Sequence, residues 1–140
     1  MTLDELIEKI KLSGGRTTKT RLAALKYLLA ADRPVSPAEI LGALKQKRVL
    51  VNRTTVYREL AFLAARGLVR EVGLVGQPAL FELVRGHRHH LICLKCNKIK
   101  TIVMANHLHK EEEKITKKEK FKITDHCLEF YGLCQDCRRR

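Results

Sequence analysis

The chain has no run of about 18 apolar residues, the length a membrane-spanning helix needs, so no such helix is expected. Its first residues, Met1-Thr2-Leu3-Asp4-Glu5, are acidic and lack the basic and apolar regions of a signal peptide. Both absences lead to the expectation of a cytoplasmic protein without a membrane partner. Acidic residues are scarce: 15 Asp and Glu stand against 28 Lys and Arg, for a net charge of +13. That imbalance points to a polyanionic partner. No internal repeat is visible, and no nucleophile is paired with a base, so an enzyme is not expected.

The 140 residues suggest one or two small domains, and 45% hydrophobic residues suffice for a core. Two half-size domains would each be marginal alone, and small domains often need a metal or oligomerisation. Five cysteines in a reducing compartment read as metal ligands rather than disulfides. Four of them form two Cys-x-x-Cys pairs, Cys93/Cys96 and Cys134/Cys137. Each pair makes a tight turn that presents two sulfurs to one ion, and four thiolates are the ligand set of a structural zinc site. The stretch between the pairs is too long for a lone zinc ribbon, so the site is expected to clamp the two ends of a small domain. The histidine cluster His87-Arg88-His89-His90 runs into the first pair and suggests a second, exchangeable metal. The fifth cysteine, Cys127, reads as a small buried residue.

Along the first half, Leu3, Leu6, Ile7 and Ile10 share one helical face, closed by Gly14-Gly15. A second helix is expected from about Thr18 to Ala31, with Leu22, Leu25, Leu28 and Leu29 inward and Arg33-Pro34 as the break. Ser36-Pro37-Ala38-Glu39 is a capping box with proline at the first helical position, opening a third helix with Ile40, Leu41 and Leu44. After the apolar stretch Val49-Leu50-Val51, Asn52 caps a fourth helix with Val56, Leu60 and Leu63 on one face, ending at Gly67. Residues 68–72 and 79–84 read as strands joined by the glycine-containing loop 73–78. Helices followed by a two-stranded hairpin make a winged helix-turn-helix.

The fourth helix has the character of a recognition helix. Its first turn is polar and basic, and its later turns are apolar on one side. Arg53 and Arg58 can pair with guanine or phosphate, while Thr54, Thr55 and Tyr57 can touch thymine methyls or backbone. Arg16, Lys19 and Arg21, at the start of the second helix, are placed for phosphates. The second half reads as strands at 91–92, 99–103, 121–124 and 128–131 around a helix from about Ala105 to Glu119. The expected fold class is therefore α+β: a winged-helix domain over residues 1–84, a hinge at 85–88, and a small α/β domain over 89–140 carrying the four-cysteine zinc site.

Taken together, Thr55-Val56-Tyr57-Arg58, then His87-x-His89-His90-Leu91-Ile92-Cys93-x-x-Cys96, then His126 before Cys134-x-x-Cys137, resemble the ferric uptake regulator (Fur) family over nearly the whole chain. The resemblance implies a homodimeric, metal-responsive transcription factor, usually a repressor, that binds double-stranded DNA operators of inverted-repeat character. It places the structural zinc, one per protomer, on Cys93, Cys96, Cys134 and Cys137, and the DNA-contacting pair on Tyr57 and Arg58. The family's interdomain sensing site carries over poorly. One ligand position falls near Pro34, a second on Arg88 and an acidic third on Thr101, leaving His90 and Glu82. A cation at Arg88 opposes a divalent ion there.

The family's second regulatory site carries over better, onto His87, His89, His126 and an acidic position in the helix. Counting from Cys96 places that position at Leu108, and counting back from His126 places it at His109. A one-residue insertion reconciles the two, and His109 is the ligand implied. Such a nitrogen-rich set suits zinc, with iron(II), manganese(II), cobalt or nickel as alternatives, and its occupancy should fall as pH drops through about 6.5. His107, at the edge of the pattern, reads as a surface residue. Two rivals remain at this point. One is a Fur-like binder that no longer senses metal, and the other is a zinc-stabilised basic module for RNA or protein. A zinc hydrolase or deaminase would need an open coordination position and a nearby Glu, which a closed four-thiolate site does not offer.

Overall fold

The computed structural model describes residues 1–73, 78–104, 108–124 and 126–139. The chain divides into two compact units, Met1–Arg85 and Gly86–Arg140.

The first unit holds four helices and a hairpin. Helix α1 (Leu3–Leu12) starts at a capping box in which Thr2 and Glu5 satisfy each other's backbone N–H groups, and it buries Leu6 and Ile10. Helix α2 (Lys19–Ala31) is capped by the Thr18 hydroxyl and stops where Asp32 turns left-handed at φ 49°. Helix α3 (Pro37–Gln46) shows the expected Ser36–Glu39 box with Pro37 in the first turn, and it buries Ile40 and Leu44. Helix α4 (Arg53–Ala64) is capped by Asn52, whose side chain accepts from the Thr55 N–H at 2.8 Å, and it buries Val56, Leu60 and Leu63.

Strands β1 (Val69–Val72) and β2 (Leu80–Leu83) pair antiparallel, Val69 opposite Leu83 and Arg70 opposite Glu82. Val35, between α2 and α3, bridges to Phe81 through two backbone hydrogen bonds, so the hairpin is tied to the helices. One apolar cluster joins all these elements, from Leu6 and Ile10 through Leu25, Leu28 and Leu60 to Phe81 and Leu83. Gly15 lies so close to it that a Cβ there would stand 2.7 Å from Phe62 Cζ and 2.9 Å from Ile10 Cγ2. A glycine is needed where the α1–α2 connection passes this near to a packed ring.

The second unit is a three-stranded sheet in the order β4-β3-β5. Strand β3 (Arg88–Cys93) pairs antiparallel with β4 (Ile99–Val103) and parallel with β5 (Glu129–Gly132). A parallel pair needs a crossover, and helix α5 (His109–Glu119) lies on it. A single-turn helix, α6 (Gln135–Arg138), follows Cys134. Strand β3 begins three residues before the expected Leu91, which draws the histidine run into the sheet. The strand expected at residues 121–124 is not formed. Lys120 turns the chain left-handed off α5 at φ 52°, and the segment that follows pairs with no strand among the described residues. The expected helix start at Ala105 lies outside the described residues; its described part begins at His109. No helix among the described residues is long and apolar enough to cross a membrane.

Candidate metal centres and nucleic-acid interface

The two Cys-x-x-Cys pairs meet. One starts at the last residue of β3, the other runs from the N-cap of α6 into that helix, and the Cys134 N–H donates to Cys93 Sγ at 3.3 Å. The four sulfurs lie within 4.8 Å of one another, with Cys96 and Cys134 3.7 Å apart. A tetrahedral zinc with Zn–S of about 2.3 Å spaces its sulfurs by about 3.8 Å, so the donor set suits that ion. The sulfurs do not hold protons equally. The Cys134 amide, helped by that of Cys96, holds the Cys93 thiol down at about 6. Its hydrogen bond to Cys134, with burial adding, pushes Cys137 up to about 12. Cys93 is thus readier than Cys137 to meet a cation as a thiolate.

A second cluster forms from histidines. His87 stacks on His126 at 5.0 Å between ring centres, His89 stacks on His126 at 5.4 Å, and His109 meets His87 edge-on at 5.7 Å. Imidazoles bound to one tetrahedral ion at about 2.0 Å stand with their centres roughly 5 Å apart. These rings are that near, but two of the pairs are stacked face to face, and among the described residues the four cysteines are the group whose ligand atoms all lie within 4.8 Å of one another. The acidic helix position implied by the resemblance counts onto His109, but the carboxylate beside the rings is that of another residue. Glu112 lies one turn along α5 from His109, with Oε1 2.6 Å from His126 Nδ1 and Oε2 3.4 Å from His109 Nδ1. The hydrogen bond from His126 holds the Glu112 carboxyl below the usual carboxylate range, against the opposing pull of burial. The signal was present: His109-x-x-Glu112 puts both side chains on one helical face. His89 Nδ1 accepts from the Leu128 N–H at 3.1 Å, which fixes its ring against β5's approach. His107 lies outside the described residues.

Three expectations need correction. Glu82, read as a residual interdomain ligand, is buried at 1% exposure and receives the Arg70 Nε–H at 2.9 Å from the strand opposite. One oxygen of its carboxylate is thus engaged by a guanidinium within its own hairpin. Arg21, read as a phosphate contact, is 7% exposed. Its Nε donates to Glu59 at 2.7 Å, a further N–H reaches the Arg16 carbonyl, and its guanidinium lies 3.4 Å over the Phe62 ring, whose other neighbour is Arg66 at 3.5 Å. Cys127, read as buried, is exposed, with its thiol turned to the Arg88 carbonyl at 3.6 Å. His90, by contrast, is fully buried in β3, opposite Thr101 on β4 and Glu129 on β5.

The first turn of α4 presents a polar, basic surface. Arg53, Thr54, Tyr57 and Arg58 are exposed, while Val56 and Leu60 are buried. Thr55 is half-buried and its hydroxyl donates to Asn52 Oδ1, so the cap engages it. Arg53 donates to the Tyr57 hydroxyl at 3.3 Å, one turn along, and the two side chains stand together. Arg16 and Lys19 are exposed near the start of α2.

Residues 12–131 match the model of the ferric uptake regulator family. The chain is 32% identical over 133 residues to the ferric uptake regulation protein of Legionella pneumophila, covering 94% of this chain and 97% of that one. It is also 32% identical over 138 residues to the peroxide operon regulator of Bacillus subtilis, covering 99% of this chain and 94% of that one. Its fold superposes on the ferric uptake regulator Fur of Helicobacter pylori with a TM-score of 0.78 at 25% identity, covering 99% and 95% of the two chains; that structure is described as having three functional metal binding sites. A winged-helix-like unit, a gathered four-cysteine centre and these likenesses lead to one conclusion: the chain belongs to the ferric uptake regulator family of metal-responsive transcriptional regulators.

Proposed function

We propose that the chain is a sequence-specific regulator, working as a repressor, that binds an inverted-repeat DNA operator as a homodimer and responds to a divalent metal. The observation that carries this reading is the exposed Arg53, Thr54, Tyr57 and Arg58 surface on a helix whose other face is locked into an apolar core. A reading surface must be rigid to discriminate bases, and here the support is built in. Arg58 and Arg53 pair with guanine or phosphate, Tyr57 and Thr54 touch base edges or backbone, and Arg16 and Lys19 meet phosphates. Residues 1–84 are the DNA-binding domain, 85–88 the hinge and 89–140 the dimerisation domain. Regulation of transcription, with no catalysed reaction, is the whole of the activity.

Cys93, Cys96, Cys134 and Cys137 hold a structural zinc, which supplies folding energy to the second unit. His87, His89 and His126, with Glu112 and His109 from α5, hold the responsive ion. Four nitrogens and a carboxylate suit zinc, iron(II) or manganese(II). Pro34, Arg88 and Thr101, and the engagement of Glu82 with Arg70, leave the histidine site as the place where metal is sensed. An ion there changes DNA affinity only as far as it binds the DNA-competent arrangement more tightly than the other.

Footprinting tests the reading. A protected inverted repeat that fades when Glu112→Ala and His126→Ala are combined is the expected result. Salt-sensitive binding with no preferred sequence would overturn it in favour of a general basic module. The departures at Pro34, Arg88 and Thr101 also support a second reading, a regulator that has lost metal sensing. A footprint unchanged by mild chelation would select that one.

A further inference from the structure

Among the described residues of the first unit, Leu50 is the most exposed large hydrophobic side chain, at 87%. It sits in the connection between α3 and α4, residues 47–52, which is longer than the three or four residues of a tight helix-turn-helix turn. The reason it faces out is local. Val49 and Val51 both pack against the core, and the Val49 N–H is bonded to the Leu44 carbonyl at 2.9 Å. With both neighbours turned inward, the residue between them is turned to solvent. Asn52 then caps α4, so Leu50 is fixed two residues before the cap of the recognition helix.

Its surroundings are basic and polar. Lys47 and Arg48 precede it, with Arg48 held left-handed at φ 57°, and Arg53 follows; all three are exposed. A single exposed leucine is ordinary on a protein surface. One pinned between two inward valines, inside a cationic rim, at the N-terminal end of the helix that carries the reading surface, is placed like a contact. DNA offers one apolar group at the edge of its bases in the major groove, the thymine 5-methyl.

We propose that Leu50 is a specificity-determining residue that reads a thymine 5-methyl group in each half-site. The proposal rests on the DNA-binding reading above, and it adds an aliphatic contact to a surface that otherwise offers charges, hydroxyls and the Tyr57 ring. The guanidinium groups set affinity through phosphates and guanines; Leu50 sets a preference that salt does not screen.

The test begins with selection of a preferred duplex from a randomised pool by the full chain with zinc present. Each thymine of the selected duplex is then replaced singly by uracil, which removes only the methyl. The unaltered chain loses about four-fold in affinity at one position per half-site, the worth of one buried methyl group. Leu50→Ala binds the thymine and uracil duplexes alike, while Leu50→Met, which keeps an apolar side chain, retains the penalty. If every thymine is replaceable without effect, or if Leu50→Ala keeps the uracil penalty, the proposal is overturned while the DNA-binding reading stands. If selection yields no preferred sequence, both are overturned.

Discussion

The two halves of this chain solve the problem of small size differently. In Met1–Arg85, fully buried leucines, isoleucines and valines from four helices and a hairpin form one apolar cluster. In Gly86–Arg140 the buried hydrophobic residues, among those described, are Ile92 and Cys93, joined by the buried His89 and His90, and α5 buries none of its residues. Each buried leucine contributes about 1.5–3 kcal/mol by leaving water. Within a single chain the described residues of the second unit have little of that term; four thiols gather at one point, and the histidine rings stack beside the Glu112 carboxylate. The first half is built by burial, the second by coordination. On the proposed function, the difference puts the DNA-reading surface on a scaffold built by apolar burial and leaves the metal-binding part to respond.

The largest expected effect is on coordination. Structural zinc contributes on the order of 10 kcal/mol of folding free energy at neutral pH. Cys134→Ser, or Cys137→Ser, should therefore free the amides of β3, β4 and β5 to exchange with solvent while those of α2 to α4 stay protected, and should abolish dimers in sedimentation. A stable dimer from either variant would sink the zinc-staple account. The converse variant, Leu25→Ala, removes a fully buried side chain from the first unit and should cost about 2–5 kcal/mol there. Its signature is a lowered melting transition with zinc content unchanged.

Arg58→Ala should weaken operator binding by about 1–3 kcal/mol without moving that transition, as measured by gel shift beside calorimetry. Unchanged affinity would mean that α4 does not read DNA. The smallest effect is on the α3 capping box. Burial raises the Glu39 pKa, but the Ser36 N–H and the Arg33 guanidinium outweigh it, so the carboxyl lies below its ordinary value. A carboxyl depressed on folding contributes stability that is full above the unfolded value of about 4.3 and lost as pH falls through the folded one. Glu39→Gln should flatten the acid limb of urea stability for the first unit. The change should be under about 1 kcal/mol, since both partners are partly in water.

The first half was largely legible because its signals are local. Ser36 and Asn52 cap where they stand, Pro37 opens α3, and the apolar residues of α3 and α4 repeat at helical spacing. The Cys-x-x-Cys pairs were legible because ligand spacing is itself a local pattern. What failed depended on contacts distant in sequence. Nothing near Arg21 announces Glu59 and Phe62, which draw it inward, and nothing near Glu82 announces Arg70 across the hairpin. The acidic helix position was counted along the chain onto His109 rather than around the helix, where His109 and Glu112 share a face. Residues 121–124 have strand-like composition, but composition does not show whether a strand lies beside them.

Metal per protomer, measured by elemental mass spectrometry on protein purified without chelator and again after mild chelation, tests the central claim most directly. The account predicts one zinc that survives chelation, held by Cys93, Cys96, Cys134 and Cys137, and a second ion that mild chelation removes from the histidine cluster. Folded, dimeric protein that retains no zinc would contradict it.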